Sequence, residues 1–270
     1  MSKLSYSAIA DFLKSPAYYW WRHKYVHPEH PGTRGIIPLD LSMTRFDHDR
    51  IFGQVWATFV HRFYAGVEFH VNAEQSHALW ATEASGWLDG REFKRLDNAL
   101  TNLMLDYNLR FSADDGVRTP DTSEMWLEND TFCARLDGLS ADGIIHECKA
   151  TKHAVSLTAQ LDKYRYSLQA QLYAVLTDAK GIRIELAFKD EPHEVYRDQV
   201  VPYKREQVEQ WRIGLNSLAQ AIERVGDTFP CHSEGCNIVS KRYASLCPYQ
   251  TLCQGHMEYL AWFKPRVEAK

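Results

Sequence analysis

Thr131-Phe-Cys-Ala-Arg-Leu-Asp137-Gly-Leu-Ser-Ala-Asp-Gly143-Ile-Ile-His-Glu147-Cys-Lys149-Ala-Thr151 reads as two strands and the turn between them. Residues 131–139 and 143–150 have the apolar, β-branched and aromatic content of strands, and Ala141-Asp142-Gly143 supplies the turn. A third strand at 124–128 precedes them across Asn129-Asp130, so the expectation is a three-stranded meander. Glu147 and Lys149 lie two residues apart and therefore project from one face of their strand. A hairpin partner can bring Asp137, at the end of the preceding strand, beside them.

Two carboxylates and an ammonium on one sheet face suit phosphodiester hydrolysis. The carboxylates offer hard oxygen ligands for Mg²⁺ or Mn²⁺, ions that keep several waters. Such a metal lowers the pKa of a bound water and offsets charge developing on the phosphate. Lys149 would orient the attacking water or stabilise the oxyanion, and the Cys148 carbonyl is a further possible ligand on the same strand. The competing reading is an exposed strand face with an ordinary Glu/Lys pair. The apolar residues around the trio, Ile144-Ile145 and 132–139, favour the first, because charges in such strands want partners or a metal.

Working outward, residues 157–179 form a long amphipathic helix carrying Leu161, Tyr164, Leu168, Leu172, Tyr173 and Leu176 at helical spacing. Strands at 182–188 and 194–201 and a helix at 204–225 follow. Upstream, 5–25 gives two short helices with Pro16 opening the second, 27–38 a loop rich in Pro and Gly, and 52–64, 76–88 and 91–109 three more helices. The order is a helical section (1–115), a βββ-α-β(β)-α core (116–228) and a cysteine-rich tail (229–270), expected to form one domain.

With 270 residues, 45% of them hydrophobic, the chain can bury one sizeable core. No run approaches the eighteen apolar residues of a membrane span, and the first residues lack the pattern of a signal peptide. The expected compartment is the cytoplasm. The net charge of -4 excludes a protein that coats nucleic acid through a general basic excess. DNA contact must come from a local basic patch or a metal.

Asp137-Gly138 followed by Ile144-Ile145-His146-Glu147-Cys148-Lys149-Ala150-Thr151 resembles the D…E-x-K core of RecB-type PD-(D/E)XK nucleases. Leu4-Ser5-Tyr6-Ser7-Ala8-Ile9 with Ser15-Pro16-Ala17-Tyr18-Tyr19 is similar to their N-terminal LS-x-S…P-x-x-Y. Gln169-Ala-Gln-Leu-Tyr173 is similar to their Q-x-x-x-Y helix, in the same order along the chain. The resemblance implies an α/β (α+β) fold with a central mixed sheet flanked by helices. It implies Mg²⁺- or Mn²⁺-dependent cleavage of DNA at a duplex end or single strand, with an exonuclease of the RecE type as the first expectation. A recombination or CRISPR-type partner protein is a further implication. A catalytically inactive nucleic-acid-binding or scaffold subunit is the alternative.

Position by position, the resemblance places Asp137, Glu147, Lys149, Gln169 and Tyr173 in the site. Tyr173 either contacts DNA or is a core aromatic, and Gln171 is the alternative polar residue on the helix. The family's metal-binding histidine follows a helical glycine by four residues. Here that position is Ala57, four after Gly53, and His61 lies one turn further. His61 is thus either a ligand with Asp137, Glu147 and Cys148 or a packed ring; His48 and His146 are weaker candidates. Lys152 and Arg165 are candidate DNA contacts. Trp20, Trp21 and Arg22 form an aromatic-basic patch that fits stacking on an unpaired base or a helix-to-core seam.

Four of the six cysteines, Cys231, Cys236, Cys247 and Cys253, cluster in the tail. Four thiolates suit Zn²⁺ or a [4Fe–4S] cluster, against the alternative of buried cytosolic thiols. Some relatives bind such a cluster with one N-terminal and three C-terminal cysteines; here Ser15 stands in the N-terminal place.

Overall fold

The computed structural model describes residues 3–26, 28–29, 34–38, 45–84, 88–111, 123–153, 156–225, 252, 257 and 263–265. Along the chain come α1 (Tyr6–Lys14), α2 (Pro16–Tyr19) with a π-helical turn (Trp20–Lys24), β1 (Ile36–Pro38), α3 (Arg45–Tyr64), α4 (Phe69–Ala84) and α5 (Gly90–Phe111). Then follow β2 (Ser123–Glu128), β3 (Cys133–Leu139), β4 (Ile144–Thr151), α6 (Leu157–Arg165), α7 (Leu168–Thr177) and β5 (Gly181–Phe188). The last are β6 (Glu194–Arg197), β7 (Val201–Pro202), α8 (Arg205–Val225) and β8 (Phe263–Pro265). No described helix is long and apolar enough to cross a membrane.

The chain divides into two compact units, Met1–Ser42 with Asp130–Phe132 and Ile213–Lys270, and Met43–Asn129 with Cys133–Arg212. In the first, Ser5 and Ser15 cap α1 and α2 by accepting the amides of Ala8 and Tyr18. Buried Asp11 ties α1 to the π-turn, with Lys14 Nζ at 2.9 Å and His23 Nε2 at 3.0 Å. The expected loop at 27–38 ends in β1, which pairs antiparallel with β8. Ser15, in the place of a cluster cysteine, is buried and used as a cap.

The second unit contains the mixed sheet, in the order β2-β3-β4-β5-β6, with β7 also on β5. The meander is as expected, antiparallel from β2 to β4, and β4 and β5 run parallel. The crossover between them carries α6 and α7, the length a parallel connection needs. One face of the sheet packs on α3, α4 and α5. Phe52, Trp56, Phe59, Trp80, Leu100 and Tyr107 form a fully buried core there, to which β4 contributes Cys148. Period-2 alternation then turns Glu147 and Lys149 to the other face.

Two expected elements are each divided. The helix read at 157–179 breaks at Tyr166 (φ -113, ψ 16). Ser167 takes extended geometry and caps α7 by accepting the Ala170 amide at 3.1 Å. The freed carbonyls are met by side chains: Tyr203 Oη donates to Arg165 O at 2.7 Å and Gln171 Nε2 to Tyr166 O at 3.0 Å. The strand read at 194–201 is two: Asp198 still donates its amide to Ile184 O, with its buried carboxylate on Arg165, but the pairing on β5 then shifts by one residue, from Glu185–Arg197 to Ile182–Val201. Helices α3 and α4 also begin seven residues earlier than the spacing suggested, at Arg45 and Phe69.

Candidate active site

The β3–β4 ladder ends at the pair Gly138–His146. Past that point the strands separate, and the side chain of Asp137 takes over from the backbone, its Oδ2 accepting the Cys148 amide at 2.9 Å. A strand residue's N–H and C=O point to the same side, so the Cys148 carbonyl also faces this wedge. Glu147 is buried, and its carboxylate meets the Lys149 ammonium directly. Burial alone would push Lys149 down, but the Glu147 and Asp137 carboxylates outweigh it and hold the amine above the ordinary lysine range. Lys149 is therefore a cation and donor at neutral pH.

A directed chain of hydrogen bonds locks the ammonium in place. Lys149 Nζ donates to Gln169 Oε1 at 3.2 Å, Gln169 Nε2 to Tyr173 Oη at 2.6 Å, and Tyr173 Oη to the Arg135 carbonyl at 2.6 Å. Gln169 and Tyr173 sit one turn apart on α7 and face the same way. The break at Tyr166 and the Ser167 cap set the start of α7. Gln171, the alternative, spends its amide on the Tyr166 carbonyl.

Asp137, Gln169 and Tyr173 line a cavity of about 640 Å³ together with His61, Glu124 and Arg135. Ala57, at the position where the family pattern expects histidine, lines it too, and so does His61 one turn on. The helix thus presents two successive turns to the cavity, and the one-turn offset does not remove His61 from it. Its Nδ1 lies 2.9 Å from Glu124 Oε1. Glu124 holds φ +53, rare for a residue with a Cβ. The pairs Ser123–Gly138 and Met125–Leu136 place it across from Asp137. The Glu124 carboxyl sits below its ordinary range: burial opposes ionisation, but His61 and Arg135 beside it prevail.

Glu124 and Arg135 were not singled out from the sequence. Arg135 carried a signal, since it stands two residues before Asp137 and shares its face. Glu124 carried none, because the left-handed backbone that turns it inward is not a preference of glutamate.

Other candidates lie apart from this cavity. Lys152 is exposed beyond the end of β4. Arg165 Nε donates to Asp198 at 2.9 Å and its Nη1 to Asp162 at 2.8 Å, so the guanidinium is engaged within the fold. His146 is buried on the Cys148 side of β4. Trp21 is buried, as a helix-to-core seam requires. The His48 side chain and Cys231, Cys236, Cys247 and Cys253 lie outside the described residues.

The donor set fits a hard divalent cation. Among the described residues no three His, Cys, Asp or Glu side chains stand close enough to cage a metal. Mg²⁺ is ordinarily held by one or two carboxylates plus waters rather than by an all-protein cage. Asp137, Glu147 and the Cys148 carbonyl meet that requirement with oxygen alone.

Residues 3–254 match the family model of the PD-(D/E)XK nuclease superfamily. No curated protein sequence matches the chain. Among solved structures, it is similar to a phage-related exonuclease from Haemophilus somnus 129PT at 13% identity and a TM-score of 0.33, over 58% of this chain and 81% of that one. It is also similar to a candidate exonuclease from Eubacterium rectale at 12% identity and a TM-score of 0.40, over 79% of this chain and 76% of that one.

Proposed function

We propose that this chain, which belongs to the PD-(D/E)XK nuclease superfamily, is a Mg²⁺- or Mn²⁺-dependent deoxyribonuclease acting on DNA ends. The observation that carries the reading is the wedge between β3 and β4. Asp137 reaches the Cys148 amide there, and buried Glu147 and Lys149 share the neighbouring face. Asp137, Glu147 and the Cys148 carbonyl would hold the cation, with His61 on the same cavity wall as a fourth candidate. The cation would supply Lewis acidity and a bound water of lowered pKa.

The remaining work falls to the chain's own side chains. Lys149, beside Glu147 and held by Gln169, offers N–H donors to a phosphoryl oxygen as negative charge builds on it. Gln169 and Tyr173 hold that ammonium and so act as positioning residues. Exonucleolytic action is the expectation that goes with the resemblance to RecB-type nucleases, the RecE-type exonucleases being the first reading within it.

Linear and circular DNA, duplex and single-stranded, incubated with and without Mg²⁺ or Mn²⁺, tests the reading. Metal-dependent loss of linear DNA that Lys149→Ala abolishes is the expected result. Equal cutting by Lys149→Ala, or none by the wild type, sinks it. Degradation of closed circles would replace end-directed cutting by internal cleavage.

A further inference from the structure

The charged groups among the described walls of the cavity beside Asp137 are acidic apart from Arg135 and His61. Among its described lining residues Glu83, Glu124 and Asp137 are acidic, and Arg135 is the one Lys or Arg. The Arg135 side chain remains 64% exposed even though its Nη2 donates to Glu124 Oε2 at 2.5 Å. An ion pair that open adds at most about 1 kcal/mol to stability. A guanidinium carries five N–H donors in a planar fork that matches phosphate oxygens. One Glu124 oxygen occupies only part of that fork.

Position adds a second argument. Arg135 precedes Asp137 by two residues on β3, which sets it about 6.7 Å along the same face. Its own carbonyl accepts Tyr173 Oη at 2.6 Å, so its backbone is fixed to the chain that positions Lys149. The fork therefore starts from a fixed backbone point two residues from Asp137 and lines the same cavity.

We propose that Arg135 binds a backbone phosphate adjacent to the one that is cut, and that Glu124 holds the guanidinium ready and competes with that phosphate. This inference rests on the DNA-nuclease reading above. It gives the two residues opposite effects on substrate binding, whereas a merely structural ion pair gives them the same effect.

The test is equilibrium binding of a fluorescein-labelled duplex at several salt concentrations with Mg²⁺ present, in a Lys149→Ala background that does not consume the DNA. Arg135→Ala is expected to weaken binding about tenfold. It should also flatten the slope of log K against log salt by about 0.9, the loss of one phosphate contact. Arg135→Lys should restore most of the salt slope but only part of the affinity, because an ammonium keeps the charge and loses the fork. Glu124→Gln should tighten binding, since the competitor's charge is gone. Thermal melting of each variant reports folding. Unchanged affinity and slope in Arg135→Ala overturn the proposal, as does equal weakening by Arg135→Ala and Glu124→Gln with the slope unmoved. If the Lys149→Ala protein binds no DNA and the wild type cuts none, the DNA reading itself falls, and this inference with it.

Discussion

Asp137 Oδ2 and the Cys148 amide stand 2.9 Å apart where the β3–β4 ladder has already ended. One carboxylate thus closes a strand pairing that the backbone leaves open and also lines the candidate site's cavity. The two roles separate by substitution. Asp137→Asn keeps an oxygen acceptor for the amide but removes the charge. It should melt like wild type while losing about 10²-fold or more in cutting rate. Asp137→Ala should lose the same activity and also about 1 kcal/mol of stability, because it removes the acceptor of a part-buried amide. Paired calorimetry and nuclease assays check both; retained activity in Asp137→Asn would remove the residue from the site.

Gln169 and Tyr173 act on Lys149 through one chain of hydrogen bonds, so their effects should not add. Tyr173→Phe and Gln169→Ala should each lower kcat, by about tenfold, with little change in KM. The double variant should be scarcely worse than the poorer single one, the signature of residues in a shared network. A double-mutant cycle on kcat measures this. Additive losses would mean that the two residues serve the reaction independently.

On the far face of the sheet, buried Glu185 accepts from Tyr107 Oη at 2.8 Å and pairs with Arg197 Nε at 3.3 Å, while the guanidinium lies 3.7 Å from the Phe111 ring. Glu185→Gln leaves the Arg197 charge buried without its carboxylate. The expected loss is about 3–5 kcal/mol of unfolding free energy, read from urea denaturation. A change under about 1 kcal/mol would show that water reaches the pair.

Asp11 should make the smaller unit acid-sensitive. Burial works against its ionisation, but the His23 hydrogen bond, Arg22 and Lys14 together hold its carboxyl below the ordinary range. A folded pKa below the unfolded one, about 3.9, contributes stability that is present above the unfolded value. That contribution disappears as pH falls through the folded value. Asp11→Asn should therefore be less stable than wild type at pH 7, and the difference should shrink below about pH 4. Denaturation midpoints across that range decide it; a gap that stays constant with pH would assign Asp11 a purely steric role.

The tail cysteines make a prediction independent of the active site. Purified full-length protein should contain iron and sulfide with absorbance near about 400 nm, or else zinc at about one equivalent. Replacing Cys247 and Cys253 together by serine should release the metal. Metal-free wild-type protein with four titratable tail thiols would return these residues to ordinary buried cysteines.

Much of the candidate site's geometry was legible in the chain because its rules are local. The spacing of Glu147 and Lys149 fixed a shared strand face, the turn at 141–143 brought Asp137 alongside, and Gln169–Tyr173 fixed a shared helix face. Even so, local periodicity missed the break at Tyr166. Apolar spacing runs on through it, and only the Ser167 cap and the side chains that meet the freed carbonyls make two helices cheaper than one. The same limit hid the end of β6, beyond which the register on β5 shifts by one residue.

The sequence by itself determined the order of elements, the Asp137–Glu147–Lys149 trio and the family pattern around it, since each depends on residues close together in the chain. Only the tertiary structure decided that His61, one turn beyond the expected position, still reaches the same cavity as Asp137. It also decided that Arg165 is engaged by Asp198, and that Glu124 and Arg135 complete the cavity wall. Those outcomes depend on where two strands part and how one helix is rotated against a sheet. Such placements are set by packing across the core, which no local spacing records.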